Sequence, residues 1–220
     1  MRSRIKRLQL LLICCLMSLL PAACLSKATQ NPSTLTYKLP TTITVPTGSV
    51  LPGTNIRYQG MNGENASILI DDEEALKRKG DSLNWSGTLM DGVTADLKLR
   101  IIWYTESELR LLGTAKIVVS GVNPQASTAV TTSEVNYSGA VAYGMAKGAV
   151  IPGSVVTYEG KFDEGAKLGG IEGYAYRSEG DSILWEGTLR SGVYIRLSLR
   201  VAQYDSRGLR VVGTVSLWIG

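Results

Sequence analysis

The side chains best suited to chemistry are few, and their types narrow the possibilities. The 220-residue chain has no histidine and three cysteines, Cys14, Cys15 and Cys24. Without imidazole there is neither a Ser-His nor a Cys-His nucleophile, and the usual nitrogen ligands of zinc are missing. Paired carboxylates or a Ser-Lys pair could still support catalysis, but no spacing singles one out. The run Asp71-Asp72-Glu73-Glu74 offers oxygen ligands to a hard cation such as calcium. It lacks the alternating ligands and turn glycine of a calcium loop, and it leads into Lys77-Arg78-Lys79. Acids first and bases last also suit a solvated turn or a helix start, so no metal, cofactor or catalytic residue is assigned. What remains is recognition chemistry: Tyr194, Arg196 and Trp218 could form a binding group if the chain brings them together.

The elements that carry these residues are written twice. GDSLNWSGTLMDGVTADLKLRIIWYTESELRLLGTA, residues 80–115, recurs as GDSILWEGTLRSGVYIRLSLRVAQYDSRGLRVVGTV at 180–215, a constant offset of 100 without a gap. In the first copy Leu83, Trp85, Gly87, Leu89, Val93, Ala95, Leu97, Leu99, Ile101 and Trp103 occupy odd positions, with mostly polar residues between them. A period of two means half-buried strands. Met90-Asp91-Gly92, and Arg190-Ser191-Gly192 in the copy, suit a three-residue hairpin loop ending in a left-handed glycine, which pairs Leu89 with Val93 and Trp85 with Leu97.

The next loop, Ser206-Arg207-Gly208, is expected to pair Gln203 with Val211 and Leu197 with Leu217, keeping odd positions on one face. Each copy then holds a three-stranded antiparallel meander. Gly87/Gly187 and Gly113/Gly213 lie in mid-strand on its apolar face, where a glycine permits a tight bend. Pro52-Gly53 and Pro152-Gly153 mark turns between further strands upstream, giving roughly five to seven strands per module. The diverged segment 61–79 allows a turn or two of helix, and 161–179 reads as strand and turn. The fold class is all-β, two tandem antiparallel modules, each a small curled barrel or a sandwich. A core below roughly 80 residues supplies only a few kcal/mol, so the modules are expected to pack together or to be halves of one larger barrel.

That register puts Arg196 opposite Trp218 on the outer face of the second module, with Tyr194 diagonal to both. The first module has Asp96, Val118 and Thr94 there. An aromatic pair with a guanidinium can receive a sugar, a peptide or a protein partner, and cation–π contact would order it. Alternatively this face packs against the other module or the diverged segment. Trp85 and Trp185 belong to the core. Arg100/Arg200 and Arg110/Arg210 fall on the outer face, where they can solubilise it.

The N-terminus supplies an address. Arg2, Arg4, Lys6 and Arg7 precede the apolar run Leu8 to Leu20, then Pro21-Ala22-Ala23 before Cys24. Basic start, short apolar run and small-residue cleavage site are those of a secretory signal peptide. Leu20 to Cys24 resembles the lipobox of bacterial lipoproteins, although Pro21 stands where leucine is commonest. The resemblance implies cleavage before Cys24, diacylation of its thiol and a location in the bacterial membrane or cell envelope. The expected organisation is signal peptide 1–23, Ser/Thr/Pro-rich tether 24–47, module one 34–120, linker 121–133 and module two 134–220.

Removing residues 1–23 removes the four basic residues that make up the formal charge of +4, so the mature chain is neutral and has no footprint for nucleic acid. Cys24 is then the last thiol, and no internal disulfide can form. The expected function is that of a non-enzymatic envelope lipoprotein whose β-modules bind another envelope protein or a carbohydrate. A carrier enclosing a lipid-like apolar ligand is the alternative, and an enzyme of unrecognised type the third.

Overall fold

The computed structural model describes residues 33–128, 131–133 and 135–220, so the expected signal peptide and Cys24 lie outside it. The described residues form strands, turns and loops, with no helix. The first module comprises β1 (Thr34–Pro46), β2 (Ile56–Asn62), β3 (Asn65–Ile70), β4 (Glu73–Lys77), β5 (Ser82–Met90), β6 (Val93–Tyr104) and β7 (Glu108–Ser120). A two-residue strand β8 (Gln125–Ala126) follows in the linker. The second module repeats the order as β9 (Val135–Ala146), β10 (Thr157–Phe162), β11 (Gly165–Gly169), β12 (Tyr176–Arg177), β13 (Ser182–Arg190), β14 (Val193–Tyr204) and β15 (Gly208–Ile219).

Each module has a large antiparallel sheet, β1-β7-β6-β5 or β9-β15-β14-β13, and a small one, β2-β3-β4 or β10-β11-β12. In the second module β8 adds to the free side of β13. None of these sheets closes into a barrel; the architecture is sandwich-like.

Several local features follow from the sequence as expected. Trp85 pairs with Leu97 and Trp185 with Leu197, and Gly92 and Gly192 are left-handed at φ +69° and +73°. The loop itself is two residues and not three: Met90, rather than Leu89, pairs with Val93, and a bulge between Thr88 and Met90 restores the expected register, as it does between Thr188 and Arg190. Leu51-Pro52-Gly53-Thr54 forms a turn closed by Thr54 N–H to Leu51 O at 3.0 Å, with φ +76° at Gly53, and residues 151–154 repeat it. The mid-strand glycines have a packing cause. A Cβ on Gly113 would press into the β6 backbone, 2.9 Å from Leu99 Cα, and one on Gly213 would lie 2.7 Å from Leu199 Cα.

Other expectations are corrected. Residues 34–46, the overlap between expected tether and first module, form β1, whose Leu35, Tyr37, Leu39 and Val45 are buried. Asp71 and Asp72 are no helix start: both have positive φ and make the two-residue turn of the β3–β4 hairpin. Leu197 pairs with Val215, not Leu217, and Gln203 with Arg210, not Val211, because the β14–β15 loop is longer than expected and a bulge interrupts β14 between Val201 and Gln203. From Val201 back to Val193 the displacement is two residues, so odd positions there still meet odd ones. The matching bulge between Ile101 and Trp103 rotates Trp103 off the core face, leaving it 53% exposed with Lys79 over its ring.

The modules share one continuous core. A Cβ on Gly153 would meet Leu35 and Ile195, and one on Gly53 would meet Val135 and Leu89. Met90 packs on Gly192 and Arg190 on Gly92, while Leu39 meets Gly139 at equivalent positions. Reciprocal contacts of this kind are the signature of a two-fold relation, here internal to one chain. The paired turns are fastened by Arg190, whose Nη2 lies 2.9 Å from Asp91 Oδ2 and whose Nη1 donates to Ser120 O at 2.8 Å. Each large sheet thus buries one face against the other module and presents the opposite face outward.

Candidate binding surface on the second module

The outer face of the β9-β15-β14-β13 sheet carries the three candidate residues. The corrected register puts Tyr194, rather than Arg196, directly opposite Trp218, while Arg196 faces Ser216 on β15 and Glu186 on β13. Because the displacement is even, all three remain on the outer face, half-buried. One row across the sheet reads Thr188, Tyr194, Trp218, Asn136, and the next reads Glu186, Arg196, Ser216, Ser138. The aromatic side chains are therefore neighbours on strands about 4.8 Å apart.

Arg196 ties the rows together. Its Cζ lies 5.6 Å from the centroid of the Trp218 ring, and its Nε donates to Glu186 Oε1 at 2.6 Å. With side-chain exposures of 40% and 23%, this ion pair adds little stability, at most about 1 kcal/mol. Its main effect is positional: it holds the guanidinium beside the indole. Ser138 Oγ donates to Ser216 Oγ at 2.7 Å on the far side. The result is a flat patch with apolar ring surface, a held cation and hydroxyl groups, able to stack on a planar or apolar surface and donate hydrogen bonds to it.

At the equivalent positions the first module has neither an aromatic ring nor a guanidinium; its Lys79–Trp103 contact lies elsewhere, at the β6 bulge. Thr94 faces Val118, and Asp96 faces Lys116 and accepts from Ser86 Oγ at 2.9 Å. These residues with Thr88 line a shallow depression of about 360 Å³. The fold is the same in both copies, so it does not require the aromatic patch.

The residues matched between copies have structural roles. Arg100 and Arg200 each donate to a glycine carbonyl, Gly80 O and Gly180 O, at 2.9 Å. Tyr58 and Tyr158 donate to Thr105 O and Asp205 O, fastening each small sheet to the loop of the large one. Asp205 accepts from the backbone N–H groups of Arg207 and Gly208 at 2.7 and 2.9 Å, which holds its carboxyl below the usual carboxylate range.

Trp185 is buried and Trp85 half-buried, both against Gly187 or Gly87. Their indole N–H groups differ. Trp85 Nε1 donates to Asn55 Oδ1 at 3.0 Å, whereas Trp185 Nε1 has no partner among the described residues, Val155 standing in place of the asparagine. Tyr37 Oη and Tyr143 Oη are the other buried side-chain polar atoms without a partner among the described residues. Burial pushes both hydroxyls far above the ordinary tyrosine value.

Two features escaped the sequence. Glu186, which holds Arg196, was legible in principle, since pairing Trp185 with Leu197 also puts residue 186 opposite 196. A second aromatic group on the small sheet was not. Phe162 and Tyr176 meet edge to face at 6.0 Å, Tyr174 lies 5.5 Å from Tyr176, and Lys167 sits over Phe162 while pairing with Glu159 at 2.9 Å. Its only signal was the sole phenylalanine near two tyrosines in a diverged segment. Among the described residues no group of three or more acidic or cysteine side chains could hold a metal ion, and no helix is long and apolar enough to cross a membrane.

The fold and surface define a class, an internally duplicated β-sandwich with an aromatic-cationic patch on one outer face. Compared with protein-family models, curated proteins and solved structures, the chain matches none.

Proposed function

We propose that the chain is an exported bacterial lipoprotein, anchored by an acylated Cys24, whose second module binds another protein of the cell envelope through Tyr194, Arg196 and Trp218. The observation that carries the binding half is the asymmetry between copies. Ring surface, guanidinium and its Glu186 partner occur together on one outer face only, and the core does not need them. Binding energy at protein interfaces concentrates in Trp, Tyr and Arg at the centre of a patch rimmed by polar groups, which is the composition here. The neutral mature chain and the lack of histidine agree with binding in preference to catalysis or nucleic-acid contact. The anchor rests on the signal sequence and the small residues before Cys24.

Two experiments test the two halves. Cys24→Ser is expected to move the protein from the membrane to the soluble fraction, and an unmodified N-terminus elsewhere in the mature protein would refute the anchor. Trp218→Ala in the full chain is expected to weaken partner retention by at least about tenfold, while Val118→Ala leaves it unchanged. Equal effects of the two substitutions would refute the assignment.

A further inference from the structure

The two modules differ at one edge. In the second, β8 lies along β13 with Ala126 opposite Gly187 and Gln125 opposite Thr188. Ser127 N–H donates to Glu186 O at 3.2 Å and Asn123 N–H to Leu189 O at 2.8 Å. In the first module nothing among the described residues pairs with the corresponding side of β5. The difference shows in exposure, residue by residue. Trp185, Gly187 and Leu189 are buried where Trp85, Gly87 and Leu89 are half-buried, and Glu186 and Thr188 are half-buried where Ser86 and Thr88 are exposed. Outside this stretch the strands agree more closely; Leu83 and Ile183 are each 2% exposed.

An uncovered edge leaves backbone donors and acceptors to water and half-exposes two large apolar side chains. The edge is suited to a strand because its copy binds one, and Gly87 provides the same close approach that Gly187 gives to β8. The duplication also identifies the occupant. Residues 25–26 stand 100 positions before Gln125–Ala126, and the seven residues from there to β1 nearly match the eight that separate β8 from β9.

We propose that the open edge of β5 is the docking site of the chain's own residues Leu25 and Ser26, Ser26 opposite Gly87 and Leu25 opposite Thr88. This does not rest on acylation of Cys24. If Cys24 is acylated, the lipid anchor is held at an edge of the first module, and the binding surface is on the other module.

Paired cysteines test it. In the full chain with Cys14, Cys15 and Cys24 replaced by Ser, Leu25→Cys is combined with Thr88→Cys and mildly oxidised. Gln125→Cys with Thr188→Cys, a pair the structure already places opposite one another, sets the yield to expect. Comparable yield of an intramolecular disulfide, mapped by mass spectrometry, is predicted for the 25–88 pair, with at least about fivefold less for Leu25→Cys with Ser82→Cys at the other end of β5. Equal yields at 88 and 82, no disulfide at 88, or disulfides only between chains would overturn the proposal. Normal far-ultraviolet circular dichroism of each variant guards against misfolding. Release of Cys24→Ser from membranes is a separate result, so failure of the anchor and failure of this docking are distinguishable.

Discussion

Supplying Trp185 with the hydrogen-bond acceptor its copy possesses should stabilise the protein. Trp185 is 6% exposed and its Nε1 has no partner among the described residues, whereas Trp85 donates to Asn55. Leaving a buried donor unsatisfied costs on the order of 1–3 kcal/mol. Val155→Asn puts an acceptor at the equivalent position, and since Val155 is 39% exposed, the rest of the amide can stay in water. Loss of the partly buried valine surface offsets about 0.5–1 kcal/mol. The net gain is about 1 kcal/mol, or roughly 2–4 °C in Tm for a chain of this size. Urea denaturation followed by circular dichroism measures it, and a cycle with Trp185→Phe isolates the bond, since Val155→Asn should gain nothing when the indole N–H is gone. An unchanged or lower midpoint, with coupling below about 0.3 kcal/mol, would refute the reasoning. Asn55→Val in the first module should have a smaller effect of opposite sign, since water reaches the half-buried Trp85 more readily.

Gly192→Val should cost at least about 1–2 kcal/mol, since φ is +73° and a Cβ would also strike Met90 at 2.8 Å; a neutral urea midpoint would refute it. Burial raises the hydroxyls of Tyr37 and Tyr143, and that of Tyr137 to about 12. A raised folded-state pKa means the unfolded chain releases its protons first, so this contribution to stability is complete below about pH 10 and is lost as pH rises through the folded values. Alkaline unfolding should coincide with their ionisation at 295 nm, and early independent ionisation would contradict the burial. Asp205 carries the opposite sign. Its lowered pKa stabilises above the usual carboxylate range and fades as pH falls through the folded value, so Asp205→Ala should flatten the acid limb of the stability profile.

Strand existence and facing were legible because burial has a period of two, and any even displacement preserves it. For that reason the β14 bulge left Trp218 correctly on the outer face while its partner was misassigned. A bulge has no sequence mark of its own. Still, Gln203 at the position of Trp103 was a hint that this site faces outward. The left-handed residue at Gly92 could be read because that conformation favours glycine, but the bulge that shortens the loop to two residues could not. The turn at Asp71-Asp72 could not, since two non-glycine residues adopt positive φ there and the following acids and bases imitate a helix start. β1 was half-hidden among Ser, Thr and Pro, yet its alternate residues Leu35, Tyr37 and Leu39 form part of the contact between modules. The Phe162, Tyr174 and Tyr176 cluster depends on a β10–β11–β12 arrangement in which β12 has only two residues, too short for any periodic signal.

The central claim is that the outer face of the second module, and not that of the first, meets a protein partner in the envelope. A photoreactive side chain placed at Asn136, beside Trp218, or at the equivalent Thr36 of the first module, and activated in intact cells, tests it most directly. The account predicts a discrete protein adduct from position 136 that is lost on Trp218→Ala, with none from position 36. Equal adducts from both positions, or an adduct from 136 that survives Trp218→Ala, would contradict it.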